Sequence, residues 1–204
     1  VRLEQSPGER LFNGVSLPSA DKIISLSDES AAFIRKGSRN NLIGYKPQLM
    51  RSMDAGFITA LYLESGNPSD SKSLLPSVEH HIKSTGITPL FISADDGYSS
   101  LEAVLDVKKL GVKDICLSGA KGKKLLGDDV WMQEEYIDGR RRRSAVESLM
   151  FTLKYVYKFG RMRRRGLKEV QAEMLEKVTA YNICRAMEMK AELESKERQV
   201  SLVK

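Results

Sequence analysis

Two short apolar runs, residues 88–94 (TPLFISA) and 114–117 (DICL), constrain the fold more than any other feature of the chain. Each has the length and apolar density of a buried strand rather than of a surface helix. Between them, residues 99–110 carry a helical pattern that Ser99 and Ser100 can cap and Gly111 ends. Upstream, residues 43–53 and 57–63 read as two strands joined through Asp54, Ala55 and Gly56, a short hairpin connection. A turn-rich link, GNPSD at 66–70, leads into a helix over about 72–84. Hairpin strands, helix, strand, helix, strand and long helices, in that order, predict an α/β domain. Its mixed sheet has an antiparallel hairpin and later strands joined through helices.

The flanks are organised differently. Residues 1–20 mix charges with Pro and Gly without a period and are expected to be an extended lead-in, with a first ordered run at 23–26. Leu167, Val170, Met174, Val178 and Tyr181 recur at three- and four-residue steps, the mark of an amphipathic helix packed back on the domain. From 187 to 204 the chain is a charged tail, expected to continue that helix and fray. The domain itself is assigned to residues 21–186.

A net charge of +6 favours an anionic partner, and the excess sits mainly in residues 139–168, GRRRRSAVESLMFTLKYVYKFGRMRRRGLK. That segment holds eleven Lys or Arg residues against one carboxylate, Glu147. Such a local excess is the footprint of a nucleic-acid contact. Arg140, Arg141, Arg142, Arg143, Lys154, Lys158, Arg161, Arg163, Arg164 and Arg165 are the candidate phosphate ligands. No apolar run approaches the ~20 residues of a membrane span, and no basic helix carries a broad apolar face, so a membrane partner is not expected and a cytoplasmic protein is. Cys116 and Cys184 stand far apart, match no metal spacing and are expected to be buried thiols. His80 and His81 are read as surface residues of a helix.

Two carboxylates invite attention. Asp95 follows an apolar strand, where an open α/β sheet presents its ligand site; alternatively it caps the next helix. Glu147, with Arg143 four residues before it and Lys154 seven after it, lies on one side of a helix over about 141–157. Its simplest reading is a solvated i,i+4 salt bridge. Two carboxylates brought together with no Lys or Arg directly between them invite a divalent cation, Mg2+ or Mn2+, which would also bridge substrate phosphates. The SGAKGKK run at 118–124 reads equally as a flexible turn or a phosphate contact, and Trp131 as a packing anchor.

Five pieces in order, SDESAAFIRKG, GYKPQL, GNPSD, ISADDGYSS and RRRSAVESLMFTLK, resemble bacterial insertion-sequence DDE transposases over residues 10–185. The resemblance implies a ribonuclease H-like core with C-terminal helices, DNA strand cleavage and transfer at transposon ends, and a bacterial, nucleoid-associated protein. It places the second catalytic aspartate on Asp95, in an Ala-Asp-x-Gly-Tyr element, and the catalytic glutamate on Glu147, in an Arg-x3-Glu-x6-Lys signature with Arg143 and Lys154. Both carboxylates would be metal ligands. Arg140 stands where the family has a Tyr. Nothing upstream of Ile23 resembles the strand bearing the first catalytic aspartate; Asp28 is a candidate substitute, although it belongs to a separate Ser-Asp-x-x-Ala pattern and precedes a polar loop. The expectation is a core lacking its first strand, inactive alone, acting as a homodimer or with a full-length transposase, or else serving as a non-catalytic binding module.

Overall fold

A computed structural model describes residues 24–36 and 40–202. The expected lead-in, residues 1–20, lies outside them. The first described segment, 24–31, has no regular structure and leads into a hairpin of β1 (Ala32–Lys36) and β2 (Asn40–Gly44), paired antiparallel. A second antiparallel hairpin joins β3 (Gln48–Arg51) to β4 (Ile58–Tyr62), with a register shift between Met50 and Arg51. The single strand expected over 43–53 is therefore broken. Pro47 supplies no N–H to a ladder, Tyr45 donates to Asp28 (2.6 Å) and Lys46 pairs with Asp70 (2.8 Å), so the three residues between β2 and β3 leave the sheet.

Helix α1 (Asp70–Thr85) follows, closed by Gly86 in a left-handed conformation whose N–H donates to the Ile82 carbonyl. Strand β5 (Phe91–Ala94) and strand β6 (Asp114–Leu117) pair in parallel, from Phe91 opposite Asp114 to Ala94 opposite Leu117. Helix α2 (Leu101–Lys109) crosses between them. These elements stand close to their expected positions. Residues 118–124 do not form a turn: they enter helix α3 (Gly119–Leu126). After the short α4 (Asp128–Trp131), helix α5 (Glu134–Tyr155) is longer than expected and takes in the whole Arg140–Arg143 run. Helix α6 (Leu167–Leu202) continues through the charged tail, as its sequence predicts.

The mixed α/β character holds, but among the described residues the strands form three two-stranded sheets rather than one mixed sheet. Helix α1 links two of the pairs, lying against β3, β4 and α2 and sharing a core with β5 and β6, while the Asn67 side-chain amide donates to the Phe33 carbonyl (3.3 Å) of the β1–β2 hairpin. One core gathers Leu74 and Val78 of α1, Ile92 and Ala94 of β5, Val104 and Val107 of α2, and Ile115 and Leu117 of β6. A second gathers Ile58 and Leu61 of β4, Leu149 and Leu153 of α5, Phe159, and Val170, Met174 and Val178 of α6. Helix α5, ~33 Å long at ~1.5 Å per residue, serves both. Its Tyr136 and Gly139 meet the β5–β6 pair, and Leu149 and Leu153, one turn apart, enter the second core.

Two cysteine and histidine expectations change. Cys116 is buried, but Cys184 is exposed, because its position on α6 turns away from the Val170–Met174–Val178 stripe. His80 and His81 are half-buried: His81 Nδ1 lies 2.8 Å from Thr59 Oγ1 and burial pushes its pKa down, while the His80 ring leans on Tyr62.

Candidate functional site

Asp95 emerges at the carboxyl end of β5 and caps not the next helix, α2, whose N-cap is Ser100, but a 3-10 turn before it, Asp96–Tyr98. Its Oδ1 accepts from the Asp96 N–H (2.7 Å) and from Ser118 Oγ (3.3 Å), Ser118 standing at the equivalent end of β6. The neighbouring Asp96 points elsewhere. It accepts from the Gly122 N–H (2.9 Å) in α3 and fills the space where Gly119 has no Cβ, tying the β5 end to the helix after β6.

The turn bearing Asp95 is fixed from behind. The Tyr98 hydroxyl donates to Gln48, the Gln48 amide donates to Asp70 (3.1 Å), and Lys46 pairs with Asp70. Gln48 is buried, and burial, then the Asp70 and Asp95 carboxylates, push the Tyr98 phenol up. A Cβ on Gly97 would meet Asp70 Oδ2 at 2.6 Å. This network explains in contacts why GYKPQL, GNPSD and ADDGYSS occur together: one segment holds the next. Gln48 and Asp70 had no sequence-level role, since nothing local marks residues separated by 22 and 50 positions as partners.

Gly139 brings Glu147 to this edge. An added Cβ there would lie 2.8 Å from the Phe91 ring and 3.3 Å from Cys116 Cβ, so only Gly lets α5 approach β5 and β6 this closely. Ser93 Oγ donates to the Gly139 carbonyl (2.9 Å) and Cys116 Sγ to that of Tyr136 (3.3 Å), fixing the helix's position. A Gly within a helix-forming run is the signal that could have exposed this contact. One turn on, Arg143 reaches both carboxylates: its Nη1 lies 3.8 Å from Asp95 Oδ2 and its Nη2 donates to Glu147 Oε1 (3.1 Å).

Asp95 and Glu147 are thus brought together, but through a cation. The condition for a metal pair, no Lys or Arg directly between them, is not met: a helix side chain four residues before Glu147 has to project toward the same edge. Among the described residues no three His, Cys, Asp or Glu side chains converge on a common point. The donor set present does not fit a divalent-metal centre. Asp28, the candidate substitute for the first catalytic aspartate, is occupied elsewhere: buried, it accepts from the Tyr45 hydroxyl (2.6 Å) and the Gly166 N–H (3.0 Å).

The ten candidate phosphate ligands divide by partner. Arg140 lies over the Trp131 ring (4.0 Å) and donates to the Trp131 carbonyl, so that Trp anchors α4 to α5. Arg142 pairs with Asp54 and Asp138, Arg143 with Asp95 and Glu147, and Arg164 with Glu176. The Arg165 guanidinium turns back on the Met162 and Arg164 carbonyls. Arg141, Lys154, Lys158, Arg161 and Arg163 are exposed and have no acidic partner among the described residues. Lys154 lies 5.7 Å over Tyr155, which is exposed, while Tyr157 and Phe159 turn toward the second core.

A strand end and a basic helix thus bring an aspartate and a glutamate to one edge of an α/β domain. A family model for the transposase DDE domain matches residues 22–183, and the chain belongs to that family. A transposase-related function follows; proteins of that family act on DNA and usually use a divalent metal. No curated protein and no solved structure matched the chain. No helix among the described residues is long and apolar enough to cross a membrane.

Proposed function

We propose that this chain serves DNA transposition as a transposase-family core that grips DNA through α5 and the loop after it, and that it does not cut DNA alone. The observation that carries this reading is Arg143, which spans Asp95 and Glu147 where a metal would have to sit. Asp95 and Glu147 are the catalytic carboxylates of the assignment. A Mg2+ or Mn2+ centre on them needs a third oxygen donor and the withdrawal of Arg143. A second copy or a full-length transposase is the partner that would complete it. Exposed Arg141, Lys154, Lys158, Arg161 and Arg163 contact phosphates, giving salt-dependent affinity with little base selectivity.

The test is a nicking assay with this chain on labelled transposon-end DNA in Mg2+ and in Mn2+, run beside a binding measurement on the same DNA. Binding without cleavage is expected. Cleavage that disappears in both Asp95→Ala and Glu147→Ala would overturn the inactive assignment. Absence of binding at low salt would remove the DNA reading altogether.

A further inference from the structure

The loop between α5 and α6, residues 156–166, is tied down along its length. Phe159 is buried in the second core, and its N–H donates to the Leu153 carbonyl (2.9 Å). Glu173 of α6, also buried, accepts through one oxygen from the Arg163 and Arg164 N–H groups (2.8 and 2.9 Å). Its other oxygen meets Lys177 Nζ (2.9 Å), which in turn donates to the Lys158 and Arg161 carbonyls (3.0 and 3.1 Å). At the far end, Asp28 holds the Gly166 N–H. Lys158 has a left-handed φ of 56°, a conformation that a non-glycine residue keeps only when its surroundings impose it.

The consequence is a division of labour by charge. The acids nearest the loop backbone are turned inward onto N–H groups, so they do not neutralise the cations outside. Lys158, Arg161 and Arg163 point into solvent with no acidic partner among the described residues, on a backbone whose ordering cost has been met within the fold.

We propose that the 156–166 loop is a prebuilt platform for a nucleic-acid phosphate backbone, in which Lys158, Arg161 and Arg163 make the contacts and Glu173, Lys177 and Asp28 are positioning residues. The platform rests on the DNA-binding reading above and deepens it: Glu173, Lys177 and Asp28 hold the backbone that presents the loop cations of that reading. Its distinctive consequence runs against simple charge: neutralising the buried Glu173 weakens DNA binding, although removing an acid should tighten it.

The experiment measures fluorescence anisotropy of a labelled 20-base-pair duplex with the full chain across a salt series. Arg161→Ala with Arg163→Ala, both exposed, is expected to weaken binding about tenfold and to flatten the log-affinity against log-salt slope by about 1.8, the value for two lost phosphate contacts. Glu173→Gln is expected to weaken binding severalfold, whereas Glu176→Gln, which frees Arg164 from a surface pair, leaves it equal or tighter. An unchanged slope in the double Arg variant would overturn the platform, and so would tighter binding by folded Glu173→Gln. If Glu173→Gln does not fold by circular dichroism, the slope of the double variant decides alone. Should wild type not bind duplex at all, the DNA-binding reading fails first. Preference for phosphatidylglycerol vesicles over duplex, lost in the double variant, would overturn the nucleic-acid assignment.

Discussion

At the end of β5, Asp95 and Glu147 meet Arg143 with side chains 63% and 67% exposed; under the 156–166 loop, Glu173 meets Lys177 with side chains only 9% and 17% exposed. Both are acids among cations on helices that carry an i,i+4 pair. Solvent separates their roles. In the first cluster water screens the charges, so breaking the pair costs little and the carboxylates stay available for exchange of partners. In the second, burial pushes the Glu173 carboxyl up, but the Arg164 N–H, the Lys177 ammonium and the Arg163 N–H outweigh it and hold the group at about 2. The exposed acids suit chemistry at a surface; the buried one suits holding a backbone in place.

Removing one partner at a time sharpens the contrast. Glu173→Ala leaves Lys177 and two backbone N–H groups without their acceptor and is expected to cost about 3–5 kcal/mol in urea unfolding. The same measurement on Glu147→Ala should show a loss below about 1 kcal/mol. Equal losses at the two sites would break the comparison.

Acid titration probes the same difference without mutation. Because the folded value of Glu173, about 2, lies below the ordinary carboxyl value of 4.5, its contribution is fully present above pH 4.5. It is lost as the pH falls through the folded value. Wild type and Glu173→Gln should therefore differ most in unfolding free energy above that range and converge toward pH 2. A gap independent of pH would show that the carboxylate charge is not what holds the loop.

Gly139→Ala tests how the exposed pair is assembled. The new methyl must displace the Phe91 ring or the helix, at an expected cost of about 1–3 kcal/mol. Hydrogen exchange should quicken at β5 and in the first half of α5 while Arg163 and Arg164 stay protected. The smallest effect is expected for Arg143→Ala, about 0–1 kcal/mol in stability, with no loss of helix by circular dichroism.

Much of the first cluster was legible. The apolar runs marked β5 and β6, the resemblance marked Asp95 and Glu147, and four-residue spacing marked the Arg143–Glu147 pair. What spacing omitted was Arg143's second partner, because Asp95 lies on another element and only the Gly139 contact sets how near α5 comes. The second cluster was almost illegible. Glu173 sits beside the Val170–Met174–Val178 stripe and reads as one more surface acid, and Asp28 read as a failed substitute for a catalytic residue. The break at Pro47 was also missed, although a proline inside a strand pattern carries that warning.

By itself the sequence determined the order of strands and helices from β4 to β6, the concentration of cations in residues 139–168 and the family to which the chain belongs. Each of these depends on local pattern or on ordered motifs. Only the tertiary structure decided which acids face water, which cations are already occupied and that the strands group in pairs. Those outcomes depend on contacts such as Asp28 with Gly166, 138 residues apart, whose worth comes from excluding water between groups that no local periodicity connects.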